Sequence, residues 1–132
     1  MASTGTHKQP AKIRKDEAKK AIRASLATYN QSPRKVRLVT DMVKGKSVTD
    51  AVNALSFLPK RAALPIKKLI ESAAANAKDR GVATDSLRVE DIRVDSAGMI
   101  VRFMPRAMGR AAPIRRRRSR VIVTLKSVEP AA

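Results

Sequence analysis

At 132 residues, 43% of them hydrophobic, the chain is long enough for one folded domain, too short for two of ordinary size and too apolar for a wholly disordered polycation. Twenty-nine Lys and Arg against 11 Asp and Glu leave a formal charge of +18, which repels itself unless a partner supplies negative charge, and nucleic acids are the densest natural polyanions. The absence of cysteine excludes disulfides and cysteine metal sites, and no apolar run approaches the roughly 18 residues of a membrane-spanning helix.

In chain order, residues 1–17 read as a basic, small-residue tail that cannot bury enough apolar area to offset the entropy of ordering, and a single domain follows over residues 18–128. The tail holds no apolar stretch able to act as a signal peptide, so the expectation is a soluble intracellular protein. His7, the sole histidine, has no second ligand at metal spacing and reads as solvated, so no metal is expected. "AIRASLATY" alternates Ile22, Ala24 and Leu26 against Arg23, Ser25, Ala27 and Tyr29, which suggests a strand.

"SPRKVRLVTDMVKG" places Ser32 as N-cap and Pro33 at the first helical position, repeats Val36, Val39 and Val43 on one face and stops at Gly45. A second helix opens on the capping-box pattern of Ser47 and Asp50 and buries Ala51, Ala54, Leu55 and Leu58. Pro59 ends it and can open a third, with Leu69, Ile70, Ala73, Ala74 and Ala77 on the buried side and Gly81 at the exit. Pro65 contradicts that third helix locally, and should kink its first turns or shift its start later. From Leu87 to Met104 the pattern is that of a strand whose phase slips at Glu90 and Asp91, marking a bulge; "SRVIVTLKSV" returns beside it. The fold class is therefore α+β, with three helices packed on a small antiparallel sheet and a long protruding β-hairpin over residues 99–120.

That hairpin, "VRFMPRAMGRAAPIRRRRSRV", carries eight arginines and neither lysine nor acid. With arms at 99–107 and 112–120 it would reach roughly 30 Å, about the width of a small domain. Past Met104 its apolar face thins to alanines, so no second layer can cover it, and a bare two-stranded ribbon is marginal in water. A solvated charged loop needs no planar bidentate donors, so the arginines point to phosphate. An anionic membrane would call for an amphipathic helix with bulky anchors, and the run has no Trp. Aromatic content of 2% leaves no stacking platform for single strands, and the side chains and dimeric framework of DNA major-groove readers do not stand out. Folded RNA, read by shape and backbone, suits the finger better.

For catalysis, Glu71, Asp79, Asp85, Glu90, Asp91 and Asp95 are scattered over caps, turns and exposed strand positions, with no nucleophile and base set beside them, so no catalytic residue is assigned. A DNA-compacting architectural protein shares the charge but calls for wedge insertion and a dimer.

"SPRKVRLV" at 32–39, "GKSV" at 45–48, "ESAAANA" at 71–77 and above all "MPRAMGRA" at 104–111, in this order and spacing, resemble the family of bacterial-type large-subunit ribosomal protein number twenty-two. The likeness covers residues 21–128. It implies a cytoplasmic, ribosome-bound structural protein without cofactor or membrane, partnered by large-subunit rRNA, neighbouring ribosomal proteins and the nascent polypeptide, and not a homo-oligomer. It implies rRNA contacts at Ser32, Pro33, Arg34, Lys35 and Arg37, at Lys44 and Lys46, and on the finger at Arg102, Arg106, Arg110, Arg115, Arg116, Arg117, Arg118, Ser119 and Arg120. The hairpin end, with Pro105, Ala107, Met108, Gly109, Arg110 and Ala111, would line the peptide exit tunnel. This chain departs from the family by placing Arg118 and Arg120 where threonine and histidine are common, Met108 where a basic residue is common, and "DSAGM" in place of an acidic Gly-Pro corner.

Overall fold

A computed structural model of the chain describes residues 21–128. The expected tail and His7 lie outside them. Three antiparallel strands, β1 (Ile22–Tyr29), β2 (Leu87–Pro105) and β3 (Ala111–Ser127), form one sheet in the order β1-β3-β2. Three helices, α1 (Pro33–Val43), α2 (Val48–Phe57) and α3 (Ala63–Asp79), pack on it, giving the expected α+β architecture.

In β1 the period of two holds: Ile22 is buried and Ala24 and Leu26 pack on the core, while Arg23, Ser25 and Ala27 face outward. Helix α1 buries Pro33, Val36, Val39, Thr40 and Val43 and leaves through Gly45 at φ +80. Its entry differs from expectation. Ser32 occupies the N-cap position, but its hydroxyl makes no capping hydrogen bond; the Ser32 carbonyl instead accepts from the amides of Lys35 (3.1 Å) and Val36 (3.2 Å).

At α2 the Ser47 hydroxyl accepts from the Asp50 amide at 3.1 Å and donates to the Asp50 carboxylate at 2.7 Å, so the acid braces the cap through the hydroxyl and not through the backbone of Ser47. Ser47→Ala removes both bonds and should cost about 1 kcal/mol of unfolding free energy in urea titration; an unchanged midpoint would show the cap to be idle.

Helix α3 starts at Ala63, after a turn closed by the Ala63 amide on the Lys60 carbonyl at 3.0 Å, and not at Pro59. The start is thus later than Pro59, one of the two outcomes expected of Pro65, which then falls in the first turn, where the N–H it lacks has no partner in any helix. Leu69, Ile70, Ala73, Ala74 and Ala77 are buried as expected, joined by Ile66. The alanines let α3 lie close to the sheet, against β1 and the central strand β3.

The β2 and β3 ladder is interrupted twice, between Val89 and Asp91, where the phase slip was expected, and between Ser96 and Met99 around Gly98 at φ +85. The second interruption divides body from finger. Before it, Val94 faces Val121 and the exposed Ser96 faces the buried Ser119 within the body sheet; beyond it, seven pairs from Met99 with Arg117 to Pro105 with Ala111 run free. The arms are thus shorter than expected, about 20 Å at roughly 3.3 Å per residue, because residues 119 and 120 belong to the body sheet.

Candidate nucleic-acid interface

Along the free hairpin, cross-strand pairing sets Met99, Val101 and Phe103 with Arg117, Arg115 and Pro113 on one face, and Ile100, Arg102 and Met104 with Arg116, Ile114 and Ala112 on the other. Apolar side chains are present but split between two faces. Neither face is covered: every residue from 101 to 111 is exposed, Phe103 at 73%. The four consecutive arginines 115–118 alternate in direction for the same reason, so cationic heads project on both sides of the ribbon.

At the tip, the Arg106 amide donates to the Arg110 carbonyl at 2.7 Å and closes the turn. Gly109 holds φ +66, and Met108 beside it holds φ +60. A glycine accepts that conformation freely, whereas methionine there costs on the order of 1 kcal/mol. Nothing in the sequence marks Met108 for it. Its side chain is 95% exposed.

Two grooves flank the root of the hairpin. The first, of 810 Å³, opens where β1 ends and β3 loses its neighbour: residues 30–32, Lys35 and Arg61 form one wall, and Ile100, Arg102 and arginines 115–118 the other. The second, of 380 Å³, lies between Ser32, Pro33, Arg34 and Arg37 of α1 and the bend at Ser96, Gly98 and Met99. Ser32 and Arg117 border both. The start of α1 therefore stands between the grooves, without a side-chain cap and without an acid in its first turn. The partial positive charge of a helix N-terminus adds to Arg34 and Lys35, and among the described residues no carboxylate lines either groove.

Arg34 and Lys35 are exposed, while Pro33 is buried under them and serves by shaping the turn. Arg37 uses one guanidinium nitrogen to donate to the Val94 carbonyl at 2.9 Å, tying α1 to β2. Lys44 and Lys46 sit at the outer edge of β2 beside the first bulge, outside both grooves; the Lys46 carbonyl accepts from the Val89 amide at 2.9 Å. Lys44 pairs with Asp91 at 2.6 Å, and the hydrogen bond to that carboxylate, followed by its charge, raises the ammonium above the usual lysine value.

Ser119 departs from the expectation of an RNA-facing hydroxyl. It is fully buried, in phase with Val121, Val123 and Leu125, and its Oγ has no hydrogen-bond partner. Arg120 is exposed opposite Asp95, and Arg118 is half-buried at the first groove. The sequence reading missed Asn30, Gln31 and Arg61. Topology alone assembles them: Tyr29 donates its hydroxyl to the Arg61 carbonyl at 3.2 Å across 32 residues.

Fold and site together define a small, strongly basic α+β protein whose arginines concentrate on a hairpin and its root. The family model of ribosomal protein L22p/L17e matches residues 24–126. Large ribosomal subunit protein uL22 of Pelobacter propionicus is 48% identical over 103 residues, 77% of this chain and 93% of the relative. The protein of the same name from Syntrophotalea carbinolica is 49% identical over 104 residues (78% and 94%), and that from Trichlorobacter lovleyi 46% over 107 (80% and 95%). The chain belongs to the ribosomal protein L22p/L17e family, as the motifs indicated, and is a structural protein of the ribosome, not an enzyme.

Proposed function

We propose that the chain is a component of the large ribosomal subunit in the cytoplasm, that its hairpin and hairpin root bind 23S-type rRNA through shape and phosphate contacts and so support subunit assembly, and that the hairpin tip lines the nascent-peptide exit tunnel. It acts as one copy among neighbouring ribosomal proteins, with the growing polypeptide passing its tip. The observation that carries this reading is the acid-free ribbon with arginines on both faces and no protein layer over either. Such a ribbon needs a counter-charged partner that surrounds it, and folded RNA offers phosphate-lined crevices on several sides. Arg34, Lys35, Arg102, Arg115, Arg116, Arg117, Arg118 and Arg120 are the phosphate-binding set, with Arg106 and Arg110 at the neck of the tip. Arg37 adds its charge while bracing α1. Lys44 and Lys46 form a separate contact at the edge of β2. The buried Ser119 side chain is left out of the direct contacts.

The test separates arm from tip. In ribosomes carrying Arg116→Gln together with Arg117→Gln, the yield of large subunits on sucrose gradients should fall. Met108→Lys should leave the yield intact and change nascent-chain stalling. A tip variant that blocks assembly while the arm variant assembles normally would reverse the assignment.

A further inference from the structure

The first groove contains a group that phosphate cannot satisfy. Gln31 follows the end of β1, held by a tight turn in which its own amide donates to the Tyr29 carbonyl at 2.8 Å, and it is one of the residues that line the groove. Among the described residues its side-chain carbonyl oxygen is buried and has no hydrogen-bond partner. A buried acceptor left unmade is costly, so it marks a place where a donor belongs. Phosphate oxygens only accept.

The surrounding wall is cationic: Lys35 and Arg61 on one side, Arg102 and Arg116 on the other, with the half-buried Ile100 between. At 810 Å³ the groove is within the roughly 300–1,000 Å³ of small-ligand sites. A ligand that brings negative charge, a flat face and an N–H donor together is a nucleotide.

We infer that this groove seats the base of one unpaired nucleotide of the bound RNA, recognised at its Watson–Crick edge by the Gln31 amide. A primary amide offers an acceptor and a donor side by side, as a base edge does, and guanidinium planes and Ile100 supply surfaces for stacking. The nucleotide must be unpaired, because pairing would already occupy that edge. Among the described residues, the second groove is lined by no unpartnered amide. The inference rests on the rRNA-binding reading and adds to it one position at which the protein reads a base.

The experiment is chemical probing of large-subunit rRNA with reagents that modify the Watson–Crick edges of unpaired bases, alone and with the full chain. The wild type should protect one unpaired nucleotide that Gln31→Met leaves as reactive as in free RNA, while the rest of the footprint and the salt dependence of binding are unchanged. Because Gln31→Met removes an unpartnered acceptor, the melting temperature of the free protein should stay level or rise. Gln31→Leu, which removes both the acceptor and the donor, should lose the same protection and carries the test should the first variant fold poorly. A wild-type footprint reproduced by both variants at every Watson–Crick position overturns the inference. A wild type that leaves no footprint overturns the rRNA-binding reading, and the nucleotide site with it.

Discussion

Glutamine at Arg115, Arg116, Arg117 and Arg118 together should weaken binding to large-subunit rRNA on the order of a hundredfold or more and flatten the salt dependence by about three units of slope in a plot of log K against log salt. The slope follows from counterion release: each phosphate neutralised contributes roughly 0.7 to 0.9 of a unit, and four arginines are removed. The loss in affinity follows from the strand itself. Residues alternate in direction along β3, so the four side chains project on both sides of the ribbon and line the first groove, and no neighbouring cation can substitute from a single face. Glutamine removes the charge but leaves an unbranched polar side chain and the backbone β-ladder, and the body core does not include these positions, so circular dichroism of the free protein should not change. An unaltered slope would mean that the four arginines are solvated surface.

The helices were legible because their signals are local. Pro33 and Gly45 bracket α1, Ser47 and Asp50 open α2, and, apart from Ala54 and Leu58, which are only half-buried, the valines, leucines and alanines at helical spacing are the ones found buried. The start of α3 was not, because Pro59 and Pro65 both suit a first turn and only tertiary packing of Ala62 and Ala63 chooses between them. The phase slip at residues 90–91 was visible as broken alternation, whereas the second shift rests on one glycine, Gly98, whose sequence neighbours carry no regular alternation to interrupt.

For the site, the unbroken absence of acid made the finger visible, and the root was hidden. Nothing along the chain says that β3 is the middle strand, yet that order, with β1 ending at Tyr29, is what opens the first groove and brings residues 30–32 and Arg61 to the arginines. Ser119 was misplaced for a reason that the sequence did contain: counting back by twos from Leu125 through Val123 and Val121 arrives at Ser119 on the core face. The arginines around it outweighed that parity in the sequence reading.

Hydrogen exchange on the free protein should divide the chain sharply at the second bulge. Amides of the body sheet and of α1 and α3 exchange only when the core opens, so protection of about a thousandfold or more is expected for a domain of ordinary stability. Beyond Met99 and Arg117 each strand has a single ladder partner, both faces are open to water, and no buried apolar contact resists separation. A ribbon of that kind is marginal by itself, and protection there should not exceed about tenfold. The boundary should lie between Arg117 and Ser119, since Ser119 is paired on both sides, with Tyr29 and with Ser96. Addition of large-subunit rRNA should then slow exchange along the arms by orders of magnitude while altering the body little, because RNA supplies the layer that the protein lacks. Arms as slow as the sheet in the free monomer would show that the hairpin is held by its own ladder and side chains, and would remove the physical reason for assigning RNA as its core.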